Sequence, residues 1–270
     1  VVGRLDLAPM AVIDHPEPGT FCWAELATTE PSAARDFYGA LLGWSSRDTP
    51  MTDERVYSML TLGDSPVAAL HGMRRDRRRA GVPSHWLSYV AVNDVDETAR
   101  RAAELGGVVV LEPADVDHIG RMAVILDPTG ATLALWQAHA HIGAHRLDED
   151  GASCWNELAT HDPEEAARFY CALFDWRAET VEIDGTRYTT FHRGALATAG
   201  MVAMDPSWGD VPPHWMVYFQ VAKAGDVVER ARELGGDVRT PATDIPPVGR
   251  FAVIGDPQGA EFSILQPAPS

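Results

Sequence analysis

The chain has 270 residues, 46% of them hydrophobic, which is enough for two ordinary domains with cores of their own. Its formal net charge of −17 argues against nucleic acid and against anionic membrane surfaces as partners, because both repel an acidic protein. No apolar run approaches the ~20 residues a membrane helix needs, and residues 1–20 lack the charged flank and cleavage site of a secretory signal.

Taken in order, a tail over 1–19 leads to an alternating strand, Trp23 to Thr28. Pro31 then opens a short helix whose Phe37, Leu41 and Leu42 form a core stripe and which Gly43 stops. Strand-like runs follow at Val56–Leu62 and Pro66–Met73. The segment Arg74-Arg75-Asp76-Arg77-Arg78-Arg79 reads as a solvated surface loop, with a phosphate site as the alternative. The pattern then restarts with a strand Trp86–Val92 and a helix Val95–Leu105 ended by Gly106-Gly107. Three more strands follow at Val108–Leu111, Arg121–Leu126 and Ala131–Gln137, the last two joined by an Asp127-Pro128-Thr129-Gly130 turn.

All of this recurs. Cys22-Trp23-Ala24-Glu25-Leu26-Ala27-Thr28 returns as Cys154-Trp155-Asn156-Glu157-Leu158-Ala159-Thr160, and Phe37-Tyr38 and Trp44 return as Phe169-Tyr170 and Trp176. His85-Trp86 and Tyr89 return as His214-Trp215 and Tyr218, and Gly120-Arg121 and Asp127-Pro128 as Gly249-Arg250 and Asp256-Pro257. The chain therefore divides into a first domain at 20–137, a linker at 138–150 and a second domain at 151–267. Equivalent cysteines in separate repeats are poor disulfide partners, so Cys22 and Cys154 are expected reduced and the setting cytoplasmic. The linker histidines His139, His141 and His145 read as solvated side chains rather than a metal site.

A strand, a helix ending in Phe-Tyr and Leu-Gly-Trp, and a late Asp-Pro-x-Gly hairpin resemble the vicinal oxygen chelate superfamily, which contains glyoxalases, bleomycin-resistance proteins and extradiol dioxygenases. The resemblance covers Thr20–Gln137 and Gly151–Gln266 and is nearest to two-domain actinobacterial glyoxalase-like proteins, some associated with secondary metabolism. It implies an α+β fold of two tandem domains, each a pair of βαβββ units forming an open eight-stranded cup with flanking helices. In that family, metal ligands project into the cup from the first and last strand of each unit. Here the resemblance puts those positions at Trp23, Leu87 and Ala134 in one half and at Trp155, Met216 and Ser263 in the other. The fourth position falls somewhere in Val67–Gly72. Trp, Leu, Ala and Met offer no N or O donor of the required kind, and a serine hydroxyl is a poor ligand. The expectation is therefore no metal and no other cofactor.

Strand parity says what faces the cups instead. Trp23 brings Glu25, Leu87 brings His85 and Tyr89, and Ala134 brings Thr132 and Trp136. The second cup gains Trp155, Glu157, His214, Met216, Tyr218 and, by parity with Ser263, Glu261. Glu25–His85 and Glu157–His214 are the candidate proton-transfer pairs, with structural pairing as the alternative. Arg121 and Arg250 could anchor an anionic ligand at the rim or make contacts within the fold. The leading expectation is a metal-independent protein, monomer or homodimer, that binds a small, partly aromatic metabolite; if it also converts that ligand, the chemistry expected is acid–base, of isomerase or lyase type. One alternative is a binding protein that sequesters an antibiotic or toxin without turnover. The other is a metal-dependent glyoxalase or dioxygenase with rearranged ligands at Glu25, His85, Glu157 and His214.

Overall fold

The computed structural model describes residues 15–51, 55–183 and 186–269, so most of the N-terminal tail lies outside the described residues. In the first half the order is β1 (Phe21–Thr28), α1 (Pro31–Leu42), β2 (Ser45–Pro50), β3 (Val56–Leu62), β4 (Ser65–Gly72), α2 (Arg75–Arg79), β5 (His85–Ala91), α3 (Val95–Glu104), β6 (Val108–Val116), β7 (Gly120–Leu126) and β8 (Thr132–Ala138). The second half repeats it as β9 (Ser153–Thr160), α4 (Pro163–Phe174), β10 (Arg177–Ile183), β11 (Thr186–Arg193), β12 (Leu196–Ala203), β13 (His214–Gln220), α5 (Ala224–Glu233), β14 (Asp237–Ile245), β15 (Gly249–Gly255) and β16 (Glu261–Pro267). A single 3-10 turn, Pro206–Trp208, stands where the first half has α2.

Each half forms one open eight-stranded sheet, ordered β2-β3-β4-β1-β5-β8-β7-β6 and β10-β11-β12-β9-β13-β16-β15-β14. The first strands of the two units are central and antiparallel, with Glu25 opposite Leu87 and Glu157 opposite Met216. Strand β2 had no counterpart in the sequence reading, because all six of its residues are exposed and polar or Pro and carry no apolar alternation. The Arg-rich segment is a short exposed helix rather than a loop, with Arg74 bonded to Asp76 and Arg78 to Glu30.

One face of each sheet packs against helices and the other domain; the opposite face is the cup. The first helix runs as expected from Pro31 at its first turn to a left-handed Gly43 (φ 73). It buries Phe37, Tyr38, Leu41 and Leu42 not only on its own sheet but against Phe219 and Phe262 of the second domain. The reciprocal core joins Val90, Ile125 and Leu133 to Leu158, Phe169 and Tyr170. Polar contacts repeat the symmetry: Tyr170 Oη donates to Asp127 (2.8 Å) and Tyr38 Oη to Asp256 (3.1 Å). Likewise Trp44 Nε1 donates to the Gly151 carbonyl (2.7 Å) and Trp176 Nε1 to the Gly19 carbonyl (2.8 Å).

These contacts decide how the halves relate. Separating them would uncover Phe37, Tyr38, Trp44, Phe219 and Phe262 on one side alone. At roughly 1.5–3 kcal/mol per large apolar side chain, that is comparable to the whole ~5–15 kcal/mol stability of a domain. The two domains share both of their helix-side cores.

Candidate functional site

The first cup contains a cavity of ≈ 610 Å³ whose wall includes Trp23, Glu25, Tyr57, Met59, Tyr89, Met122, Trp136 and His141. Strand β1 positions Trp23 and Glu25 two residues apart on one face, and β5 sets Tyr89 directly opposite Trp23. At this point β8 lies beside β5, with Ala134 level with Tyr89 and Trp136 two residues further on. The Trp136 ring lies across Gly120, where any Cβ would overlap the indole; this close approach is what requires a glycine in the Gly120-Arg121 step.

Glu25 is the hub of the polar groups. The Tyr89 phenol donates to its carboxylate. The Tyr57 phenol, on β3, hydrogen-bonds both Glu25 and the Trp23 indole. The second cup repeats the arrangement: Tyr218 Oη donates to Glu157 (2.8 Å), Tyr188 also bonds Glu157, and Trp155 Nε1 donates to Tyr188 Oη (3.2 Å). Burial, followed by the neighbouring carboxylate, pushes the phenols of Tyr57, Tyr89, Tyr188 and Tyr218 well above their ordinary range. They remain protonated donors near neutrality. Burial raises the Glu157 carboxyl, and the two phenolic hydrogen bonds offset part of that rise.

The structure does not bring the expected Glu–His pairs together. His85 is opposite Ala27, one step beyond Glu25 on the same face, and its Nδ1 turns to the Pro83 carbonyl at 2.8 Å. His214 does the same with Pro212 at 2.9 Å. Glu25 and Tyr89 do border the cavity together, and the carboxylates reach tyrosines instead of the histidines. Glu261 is also corrected: it is exposed and bonded to Arg239 Nε (2.8 Å), outside the second cup. Trp155, Met216 and Tyr218 do pack together on the cup face, with Leu265 in place of Trp136. Arg121 pairs with Asp96 and Asp115, and Arg250 bonds the Ala242 carbonyl (3.0 Å), so both serve contacts within the fold.

The linker is the largest departure. It does not extend into solvent but folds along the first cup: His141 N donates to the Ile119 carbonyl (3.0 Å), Ala144 N to that of Cys22 (2.8 Å) and His145 N to that of Pro66 (2.8 Å). The His141 ring meets Trp23 edge-on at 4.8 Å and lies 5.9 Å from Trp136. Burial, reinforced by His145, lowers its pKa to about 4, so it is uncharged at neutral pH. Its Nε2 is buried and has no hydrogen-bond partner. Tyr57 was also missed, although a tyrosine at the same repeat position, Tyr188, was a usable signal. Nothing local in the sequence marks His141, because its placement depends on backbone bonds to distant strands.

Beside Glu25 on β4 the cup-facing residue is Ala69, and beside Glu157 on β12 it is Gly200. With Trp23, Leu87 and Ala134, and with Trp155, Met216 and Ser263, these donor sets do not fit a family-type metal centre. Among the described residues no group of three or more His, Cys, Asp or Glu side chains is arranged to hold a metal.

Comparison with known proteins agrees with this architecture. Residues 13–135 match the profile of the glyoxalase/bleomycin resistance protein/dioxygenase superfamily, and residues 154–265 match a glyoxalase-like domain. A Mycobacterium tuberculosis protein named as a glyoxylase, CFP32, is 43% identical over 253 residues, covering 93% of this chain and 96% of that one. The chain belongs to the glyoxalase/bleomycin resistance protein/dioxygenase superfamily. Another member, the anthracycline biosynthesis protein DnrV of Streptomyces peucetius, is 33% identical over 263 residues, covering 92% and 94% of the two chains. Among solved members, the Mn(II)-bound glyoxalase of Novosphingobium aromaticivorans superposes with a TM-score of 0.63 at 14% identity, covering 93% and 84%. A 4-hydroxymandelate synthase variant from Streptomyces coelicolor gives 0.60 at 16% identity, covering 94% of each chain. At such identities the likeness speaks for the superfamily fold alone. No helix among the described residues is long and apolar enough to cross a membrane.

Proposed function

We propose that the first cup is a metal-independent binding site for a small, partly aromatic metabolite. The observation that carries this is the ≈ 610 Å³ cavity walled by Trp23, Tyr57, Tyr89 and Trp136, with Glu25 as its central polar group. A concave, largely aromatic pocket with a few converging polar groups is the usual composition of a small-molecule site. The name of the Streptomyces peucetius relative supports a fused-ring aromatic product of secondary metabolism as the kind of ligand to try.

Binding is favoured over turnover by the state of Glu25. Its carboxylate already accepts from the Tyr89 phenol and bonds the Tyr57 phenol, so its oxygens are engaged by the protein itself rather than left free for a substrate proton. The same network recurs around Glu157, as a structural seam between the two units would. A proton-transfer reading keeps one observation in its favour, since Glu25 borders the cavity directly.

The test uses exhaustively dialysed protein and a hydroxyanthraquinone probe. The expected result is saturable binding by tryptophan quenching, near-zero metal by elemental analysis, loss of binding in Trp23→Ala, and no product by chromatography. Product formation abolished by Glu25→Gln would replace sequestration with acid–base chemistry. Stoichiometric metal that leaves with Glu25→Ala would overturn metal independence.

A further inference from the structure

The charge of the first cavity narrows its ligand. Three carboxylates line it, Glu25, Asp115 and Asp117, and no lysine or arginine is among its described lining residues. Asp115 is already bonded to Arg121 at 2.8 Å. Asp117 stands exposed at the rim, at the tip of the β6–β7 hairpin, with left-handed backbone (φ 45). Between rim and floor sits His141, whose buried Nε2 has no partner. A buried polar atom left unpaired is destabilising, and a donor on a ligand removes that penalty.

Resting on the reading of the first cup as a binding site, we propose that its ligand is an aromatic or partly apolar molecule carrying a protonated amine. Its ammonium group is held among the Trp23, Tyr57 and Trp136 rings, the Asp117 carboxylate and His141 Nε2. Each part answers to a different property of an ammonium ion. Electron-rich rings attract a cation through their quadrupoles. Asp117 supplies the opposite charge at the entrance, and the protein's net charge of −17 raises the local concentration of cations. An uncharged imidazole accepts an N–H without repelling the cation, and His141, with its Nε2 unpartnered, lines the cavity. Its depressed pKa keeps it in that form at neutral pH. A carboxylate or phosphate ligand would meet Glu25 and Asp117 with no lysine or arginine among the described lining residues, Arg121 being engaged by Asp115 and Asp96.

The second cup lacks these features: Leu265 stands for Trp136, and the linker that supplies His141 lies on the first cup. Recognition of the amine is therefore a property of the first cup.

The experiment compares three probes of matched shape at neutral pH, naphthylethylamine, naphthylethanol and naphthylacetate, by tryptophan quenching. The amine is expected to bind about tenfold or more tighter than the alcohol, and the acetate weaker than the alcohol. Asp117→Asn keeps a residue that tolerates left-handed backbone, and His141→Phe keeps the ring shape. Each should cut the amine's advantage over the alcohol to about threefold or less, read as the ratio of the two dissociation constants in the same variant. Acetate binding as well as the alcohol, or an amine advantage that survives in the double variant, overturns the proposal and leaves the binding site standing. Failure of all three probes, or binding unaffected by Trp23→Ala, which keeps the net charge, overturns the cup reading and this proposal together.

Discussion

The two cups share a polar core and differ in everything around it. Trp23, Glu25, Tyr57 and Tyr89 are repeated by Trp155, Glu157, Tyr188 and Tyr218, down to the same hydrogen bonds. The first cup adds Trp136 and the linker residue His141; the second has Leu265 and draws Tyr188 down onto Gly200. Duplication kept what joins the two βαβββ units and varied what a ligand would touch. By that measure the Glu–Tyr network is first a seam of the fold, and under the proposed binding role the variable wall sets specificity.

The largest expected effect comes from making the first wall resemble the second. Trp136 is buried and its Nε1 donates to the His141 carbonyl at 2.9 Å. Trp136→Leu should cost about 2–4 kcal/mol from lost burial and the void left behind, read as a lower urea midpoint, and should abolish probe binding. The matching change at Leu265 to Ala should cost a similar amount and leave binding intact. Equal loss of binding from both would erase the distinction between the cups.

Gly200→Ala works in the other direction, copying Ala69 into the second cup. A Cβ there would overlap the Tyr188 hydroxyl and crowd the Trp155 indole, so the phenol must move and the bond to Trp155 must break. The expected cost is about 1–3 kcal/mol, measured by thermal or chemical unfolding. The reverse change, Ala69→Gly, meets no such obstacle and should cost less than about 1 kcal/mol, mostly through backbone entropy.

How much of this was legible in sequence depends on how local the cause is. The units, the helices and the Asp127 and Asp256 turns follow from residues a few positions apart. Asp127 Oδ1 accepts from the N–H groups of Thr129, Gly130 and Ala131, as a turn aspartate does. That its other oxygen takes Tyr170 from the opposite domain was not visible, because the partner is 43 residues away. Strand parity gave the correct face for Glu25 and Tyr89, which both border the cavity. It could not say that His85 bonds the Pro83 carbonyl while Glu25 takes phenols from two different strands. His141 was least legible of all, placed by main-chain bonds to Ile119 whose side chains leave no pattern.

His141 also sets an acid sensitivity of the first cup. Its pKa falls from an ordinary 6.5 to about 4 in the folded protein, so the unfolded chain binds more protons between those values. Stability is then full above about pH 6.5 and declines as pH falls toward 4. Allowing for partial exposure, the loss from this group is roughly 1–2 kcal/mol. His141→Phe should flatten the melting temperature between those pH values; an unchanged slope would mean that the ring is not held as described.

The linker carries a second titrating group, on the side of the other cup and with the opposite sign. Asp148 follows the His141 segment, and its charge bears on Cys154, whose thiol it helps raise. Burial alone raises its own pKa from 3.8 to about 6. The folded protein therefore binds more protons than the unfolded chain across that interval. The stability this group contributes is present at low pH and is lost as pH rises through about 6. Asp148→Asn removes the buried charge while keeping a residue suited to its left-handed backbone (φ 57). It should stabilise the protein by about 1 kcal/mol at pH 7 after allowing for partial solvent access, with the gain vanishing near pH 4. Because His141 and Asp148 oppose one another, acidification should loosen the linker at the first cup while relieving it at the second. Single variants separate the two, since His141→Phe changes only the acid loss and Asp148→Asn only the neutral penalty. If Asp148→Asn instead destabilises at pH 7, its carboxylate has a favourable partner, and the linker is held at the second cup by charge rather than by its backbone.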